Sequence, residues 1–163
     1  MRRASATLLA LLLAAACLAP VLPAVALQTF PVDDSASQVL GSTLRLKPAT
    51  MPPRGTPGTP MYMVSGEIAV QVRLDVSPWQ GRSGRIYMLL PEQPAGAVTA
   101  TWTTRGRLLP GVLRAGERTL VYAGPLPARL LEDTLRLRID ADGRGLPPSE
   151  QLAFSFEIDL DSP

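Results

Sequence analysis

Histidine is absent from the chain, and Cys17 is its only cysteine. These two scarcities exclude Ser-His-Asp and Cys-His nucleophilic catalysis, imidazole-ligated metals and thiolate zinc sites. Lysine is as scarce: Lys47 stands alone beside a proline-rich stretch, a poor setting for a buried Schiff base or a Ser-Lys dyad. No Gly-rich phosphate-cradling loop of either common type occurs. Helical periodicity is missing too. After the first 26 residues, no segment spaces its apolar side chains helically beyond one turn; Ala128 to Leu135 comes closest, with a single turn expected over Arg129 to Asp133. No repeat of solenoid length is present.

Catalysis would therefore have to rest on carboxylates. The pairs are Asp33/Asp34, Glu132/Asp133, Asp140/Asp142 and Asp159/Asp161. Adjacent residues of an extended chain point apart, and residues two apart share a solvent face or a strand end, so none is arranged to flank one bond. The protein is expected not to be an enzyme and to use no cofactor; a convergent acidic pocket would revive a carboxylate-dependent hydrolase.

What is present begins with a leader. Arg2 and Arg3 supply a positive start, Leu8 to Ala19 is an unbroken apolar run, and Pro20 and Pro23 break any helix before Ala24-Val25-Ala26. That order reads as a signal peptide over residues 1–26, with the mature chain starting at Leu27. The protein is then periplasmic or secreted, with no stable membrane span after cleavage. The alternative is a lipoprotein anchored through Cys17, although Ala14 stands where such signals place leucine.

Removing the leader changes the charge and redox arguments. The 16 basic and 14 acidic residues become equal in number once Arg2 and Arg3 are gone, so the high isoelectric point belongs to the leader. A nucleic-acid partner loses its electrostatic support. The mature chain has no cysteine and forms no disulfide, so burial must stabilise it.

The rest divides into an N-terminal segment over residues 27–47 with one short strand at Thr43 to Lys47, a proline-rich linker over 48–61, and a β domain over 62–163. In that domain Ile68, Val70, Val72, Leu74 and Val76 alternate with polar residues, and Gly66 is expected to mark a bulge. Arg85 to Leu90, Val98 to Trp102 and Thr119 to Ala123 are further strands, with a short edge strand near Leu108 or Val112. Leu135, Leu137 and Ile139 share a face, as do Phe154, Phe156, Ile158 and Leu160. Joined by the Gly- and Pro-rich residues 142–151, these last two runs are expected to pair antiparallel. About seven to eight strands punctuated by turns imply an all-β fold, an antiparallel immunoglobulin-like β-sandwich, with a small β-barrel as the alternative.

Sandwiches carry unrelated functions, so function must come from sites. Trp79, between Pro78 and Gly81, is the side chain most open to a binding role, stacking on a sugar together with Tyr87 or anchoring a protein. Trp102, in an alternating strand, reads as core. Residues 40–130 carry eleven basic and four acidic residues, and residues 131–163 three and eight. Complementary strands side by side, Arg73 or Arg85 facing Glu157 or Asp159, account for this simply. A sharper account is a basic patch of Arg82, Arg85, Arg105 and Arg107 that meets an anionic glycan. Asp140 and Asp142 suggest calcium, but Arg144 and Gln151 stand where an EF-hand loop needs oxygen ligands. The expected function is an exported, non-catalytic module that binds a protein partner in a bacterial-type cell envelope. The alternatives are a carbohydrate-binding module using Trp79 and a subunit of a surface assembly formed by strand pairing.

Overall fold

Alternating side chains build the two longest elements, β4 (Met63–Asp75) and β9 (Leu130–Asp142), which pair antiparallel over their whole lengths. Each extended residue sends its side chain opposite to the last, so Val72, Leu74, Leu131, Leu135, Leu137 and Ile139 are buried while Glu67, Arg136 and Arg138 face water. The computed structural model describes residues 28–41, 44–48, 63–92, 98–142 and 153–161. The leader with Cys17, residues 49–62 of the proline-rich linker and residues 143–152 lie outside the described residues.

Ten strands form two antiparallel sheets among the described residues. The others are β1 (Thr29–Val32), β2 (Gln38–Leu40), β3 (Lys47–Pro48), β5 (Ser83–Leu89), β6 (Val98–Thr103), β7 (Gly111–Arg114), β8 (Arg118–Pro125) and β10 (Ser155–Leu160). The first sheet has the order β1-β10-β5-β8; the second runs β2-β4-β9-β6-β7, with β3 also on β4. Their apolar faces meet in one core containing Trp102, Ile86, Met88, Leu113, Val121, Phe156 and Ile158. This is an all-β sandwich; the sheet orders do not by themselves establish immunoglobulin connectivity.

Four local expectations change. The runs at 135–139 and 154–160 are not a pair: β9 gives both edges to β4 and β6, and β10 gives both to β1 and β5, in the opposite sheet. Residues 44–46 lie outside any strand, and only Lys47 and Pro48 pair with β4. Arg129 to Asp133 makes no helical turn; β9 is extended from Leu130. Gly66 makes no bulge, because the β4–β9 register runs unbroken through it. Its missing side chain instead admits residues 44–46, since a Cβ there would lie 2.8 Å from a Leu44 methyl and 2.9 Å from the Arg45 carbonyl. The register shift falls in the β5–β8 pair, between Ile86 and Tyr87.

The N-terminal segment does join the sandwich. Residues 33–37 carry the chain from β1 in one sheet to β2 in the other. Asp33 accepts a hydrogen bond from the Asp75 amide through its carbonyl (2.9 Å) and one from the Ser35 amide through its carboxylate (2.9 Å). The Ser37 hydroxyl accepts from the Arg73 amide (2.9 Å) and so fixes the start of β2.

Candidate functional site

Antiparallel pairing brings the β4–β5, β6–β7 and β8–β9 connections to one end of the sandwich, and with them Trp79, Arg82, Arg85, Arg105 and Arg107. Residues Ser77–Trp79 form a single 3-10 turn. Pro78 suits its first positions, which need no amide donor, and the Asp75 carboxylate accepts from the Ser77 amide at 2.9 Å. Gly81 then reverses the chain at φ 77°. Trp79 is half-buried, its ring 6.0 Å from Phe30 and packed on the core. The indole closes this end of the core.

Three of the four arginines are engaged. The Arg85 guanidinium meets the Asp161 carboxylate at 3.1 Å, and Arg82 reaches the Asp161 carbonyl at 3.4 Å. Arg107 donates to the Tyr122 hydroxyl (3.3 Å) and lies over that ring, and the hydroxyl donates to the Pro125 carbonyl. Arg105 alone has no partner among the described residues. The β6–β7 loop that carries Arg105 and Arg107 is anchored by Asp133, which is buried between Leu131 and Leu135 on the inward face of β9. Its carboxylate accepts from the amides of Leu108 (2.8 Å) and Thr134 (2.6 Å), and Gly106 sits so close that a Cβ would lie 2.8 Å from it. An acidic residue at an inward register position was the sequence signal for this anchor; grouping Asp133 with Glu132 as solvated charge concealed it.

The anticipated cross-strand charge pairs form with partly different members. Arg73 meets Glu132 at 3.0 Å on the second sheet. On the first, Arg118 takes both Asp159 (2.5 Å) and Glu157 (3.7 Å), and its guanidinium covers the Tyr87 ring at 3.9 Å. Burial alone would raise the Asp159 carboxyl. The Thr29 hydroxyl at 2.6 Å, Arg118 and the nearby Arg85 outweigh that and hold it below its ordinary value. A lowered folded-state pKa gives stability that is complete above the unfolded carboxylate value of about 4 and is lost as pH falls through the folded one. Asp34 has the opposite sign: burial raises it, so acid relieves it. Asp159→Asn is therefore expected to destabilise at pH 6, with the difference from wild type shrinking by pH 3. Urea titrations at the two pH values measure this, and an unchanged difference would contradict it.

A second region lies on the flank where β2 sits. Val39 pairs with Val70, whose side chain faces the interior, yet Val39 is 55% exposed. The cause is its place on an edge strand, which pairs with β4 on one side and with no other strand among the described residues. Between β2–β4 and β10 this leaves an apolar crevice of about 190 Å³, lined by Val39, Ile68, Val70, Phe154 and Phe156, with Asp34 at its rim. Leu40 (42% exposed), paired with Ala69, faces the outer side of the sheet instead.

Asp140 and Asp142 stand in β9, opposite Ser65 and Met63, and not in a loop. Both Asp140 oxygens accept from Arg138 Nε at 3.2 Å, which occupies them with a cation already. Among the described residues no three acidic side chains converge on a metal-sized site, and no helix is long and apolar enough to cross a membrane. Compared with known protein families, curated proteins and solved structures, the chain matches no family model, no curated protein and no solved structure.

Proposed function

We propose that this protein is an exported, non-catalytic binding module whose partner in the cell envelope is another protein, received along the β2 flank. The observation that carries the reading is Val39, an inward-register valine more than half exposed at the mouth of an apolar crevice. Isolated exposed valines are ordinary, but an apolar crevice whose polar lining is Asp34 and Ser37 is characteristic of protein contact.

Elimination among the sheet edges supports the same place. An edge strand templates pairing through its unpaired amides and carbonyls, and proline blunts it. β1 carries Pro31 and β3 carries Pro48. The outward Val112 carbonyl of β7 accepts the Thr119 hydroxyl at 2.8 Å, and the Val121 carbonyl of β8 accepts the Leu109 amide at 2.7 Å. β2 has neither device. An extended segment of the partner would add to β2 and place alternate apolar side chains in the crevice.

Trp79, packed on Phe30, is better used as a lid on the core than as a sugar platform, and Arg118 already covers one face of Tyr87. Residues 38–40 and 47–48, the strands of the N-terminal segment expected to pair with a neighbouring molecule, pair with β4 of their own chain.

A photo-crosslinking amino acid at position 39 is expected to capture one protein in living cells, whereas the same group at Arg105 does not. Val39→Glu should abolish that capture and shift the melting temperature by no more than a degree or two, because the site is exposed. Equal capture from positions 39 and 105, or capture that survives Val39→Glu, would overturn the reading. Capture of the protein by its own copies would restore the assembly alternative.

A further inference from the structure

The outer face of the second sheet holds a feature that neither the β2 flank nor the Trp79 end explains. Register places Glu67, Arg138 and Thr101 in one row across β4, β9 and β6, and Ala69, Arg136 and Thr103 in the next. Residues two apart on a strand rise roughly 6.6 Å, so the two guanidiniums start about that far apart on one face. Ala69 and Thr103 beside Arg136, and Thr101 beside Arg138, are short, and a trough of about 500 Å³ lies open around the two arginines.

The charges here are differently committed. Arg138 is fixed by Asp140 through Nε alone, which holds the guanidinium and leaves its terminal amino groups open. Arg136 and Glu67 have no ion-pair partner among the described residues. Arg105, in the patch expected from the sequence, shares that freedom but stands in the β6–β7 loop and not on this face.

Two adjacent guanidiniums form fork-shaped donors matched to a planar carboxylate. Threonine hydroxyls on one side donate or accept, and a carboxylate on the other accepts from hydroxyls. A bare inorganic anion would use the arginines and be repelled by Glu67; a hydroxyl-rich anion uses all of them. We infer that this face binds an acidic sugar, its carboxylate held by Arg136 and Arg138 and its ring hydroxyls by Glu67, Thr101 and Thr103. The trough has no exposed aromatic ring in its lining, so recognition there is polar and depends on ionic strength.

Titration calorimetry of the mature protein with trigalacturonic acid at low salt tests this, with maltotriose and inorganic sulfate as companions. Saturable binding of trigalacturonic acid is expected, with none for maltotriose and at least tenfold weaker binding of sulfate. Arg136→Gln and Thr103→Val should each weaken the sugar, the first tenfold or more, while Arg105→Gln leaves it unchanged. Both substituted positions are exposed, so their melting temperatures should stay near wild type. Absence of saturation, equal binding by Arg136→Gln, or sulfate binding as tightly as the sugar would each overturn the assignment. Crosslinking through position 39 is independent of this face and should survive Arg136→Gln, so failure of either proposal leaves the other standing.

Discussion

Trp102→Ala is expected to cost about 3–5 kcal/mol of folding stability, the largest single-site effect in the protein. Trp102 is 2% exposed on the inward face of β6, and its indole N–H donates to the Leu109 carbonyl at 2.9 Å. Of the two contributions, burial dominates. Leu109 is 42% exposed, so water can replace the lost donor at its carbonyl. Nothing can refill the space beneath the ring, because β7 was built against it. A Cβ on Gly111 would lie 2.7 Å from Trp102 Cζ2 and 2.9 Å from Cη2, so glycine at 111 lets the strand touch the indole. With a domain stability of about 5–15 kcal/mol, such a loss removes a third or more of the margin. Trp102→Phe keeps most of the apolar area and should lose less, about 1–3 kcal/mol. Urea unfolding followed by far-ultraviolet circular dichroism measures both. A loss under about 1 kcal/mol for Trp102→Ala would mean that the core does not close around this ring.

Legibility in the sequence followed the range of the interactions. The faces of β4, β6, β9 and β10 were readable, because alternation is a local property and one shifted residue would expose a whole apolar row. Which sheet each strand joins was not. The runs in β9 and β10 are close in sequence and both half-apolar, which looks like a hairpin, but each finds both its partners far away in the chain. The three-residue β2 and two-residue β3 offer too few positions to show a period at all.

The candidate residues divide in the same way. Trp79 in a Pro–Gly turn and the arginine-rich connections were visible as types. That Phe30 would meet the indole, and Asp161 the guanidiniums, depends on where β1 and the end of β10 dock. Arg136 and Arg138, alternating with Leu135, Leu137 and Ile139, fall on the wet face by the same local rule. Only register sets them between Ala69 and the β6 threonines. Val39 carries no sequence signal, since its edge position is set by the pairing of a strand too short to show a period.

Asp133→Ala is expected to cost about 2–4 kcal/mol, although it deletes only a single carboxylate. The carboxylate accepts from the Leu108 and Thr134 amides, and Leu108 itself is 3% exposed, so its amide would be left with no water to turn to. A buried donor stripped of its acceptor costs more than the bond contributed while it was made. Asp133→Asn keeps one oxygen and should lose roughly half as much. The consequence extends along the loop. Residues 104–110 hold the Leu109 carbonyl that receives the Trp102 indole, the Thr104–Leu108 hydrogen bond and the Arg107 contact with Tyr122. Loosening Asp133 should therefore speed amide exchange at Leu108 and Leu109 first. In the double variant with Trp102→Ala, the two losses should sum to less than their separate values, because both changes release the same loop. Full additivity, or protection at Leu108 equal to wild type in Asp133→Ala, would show that the loop is held from elsewhere.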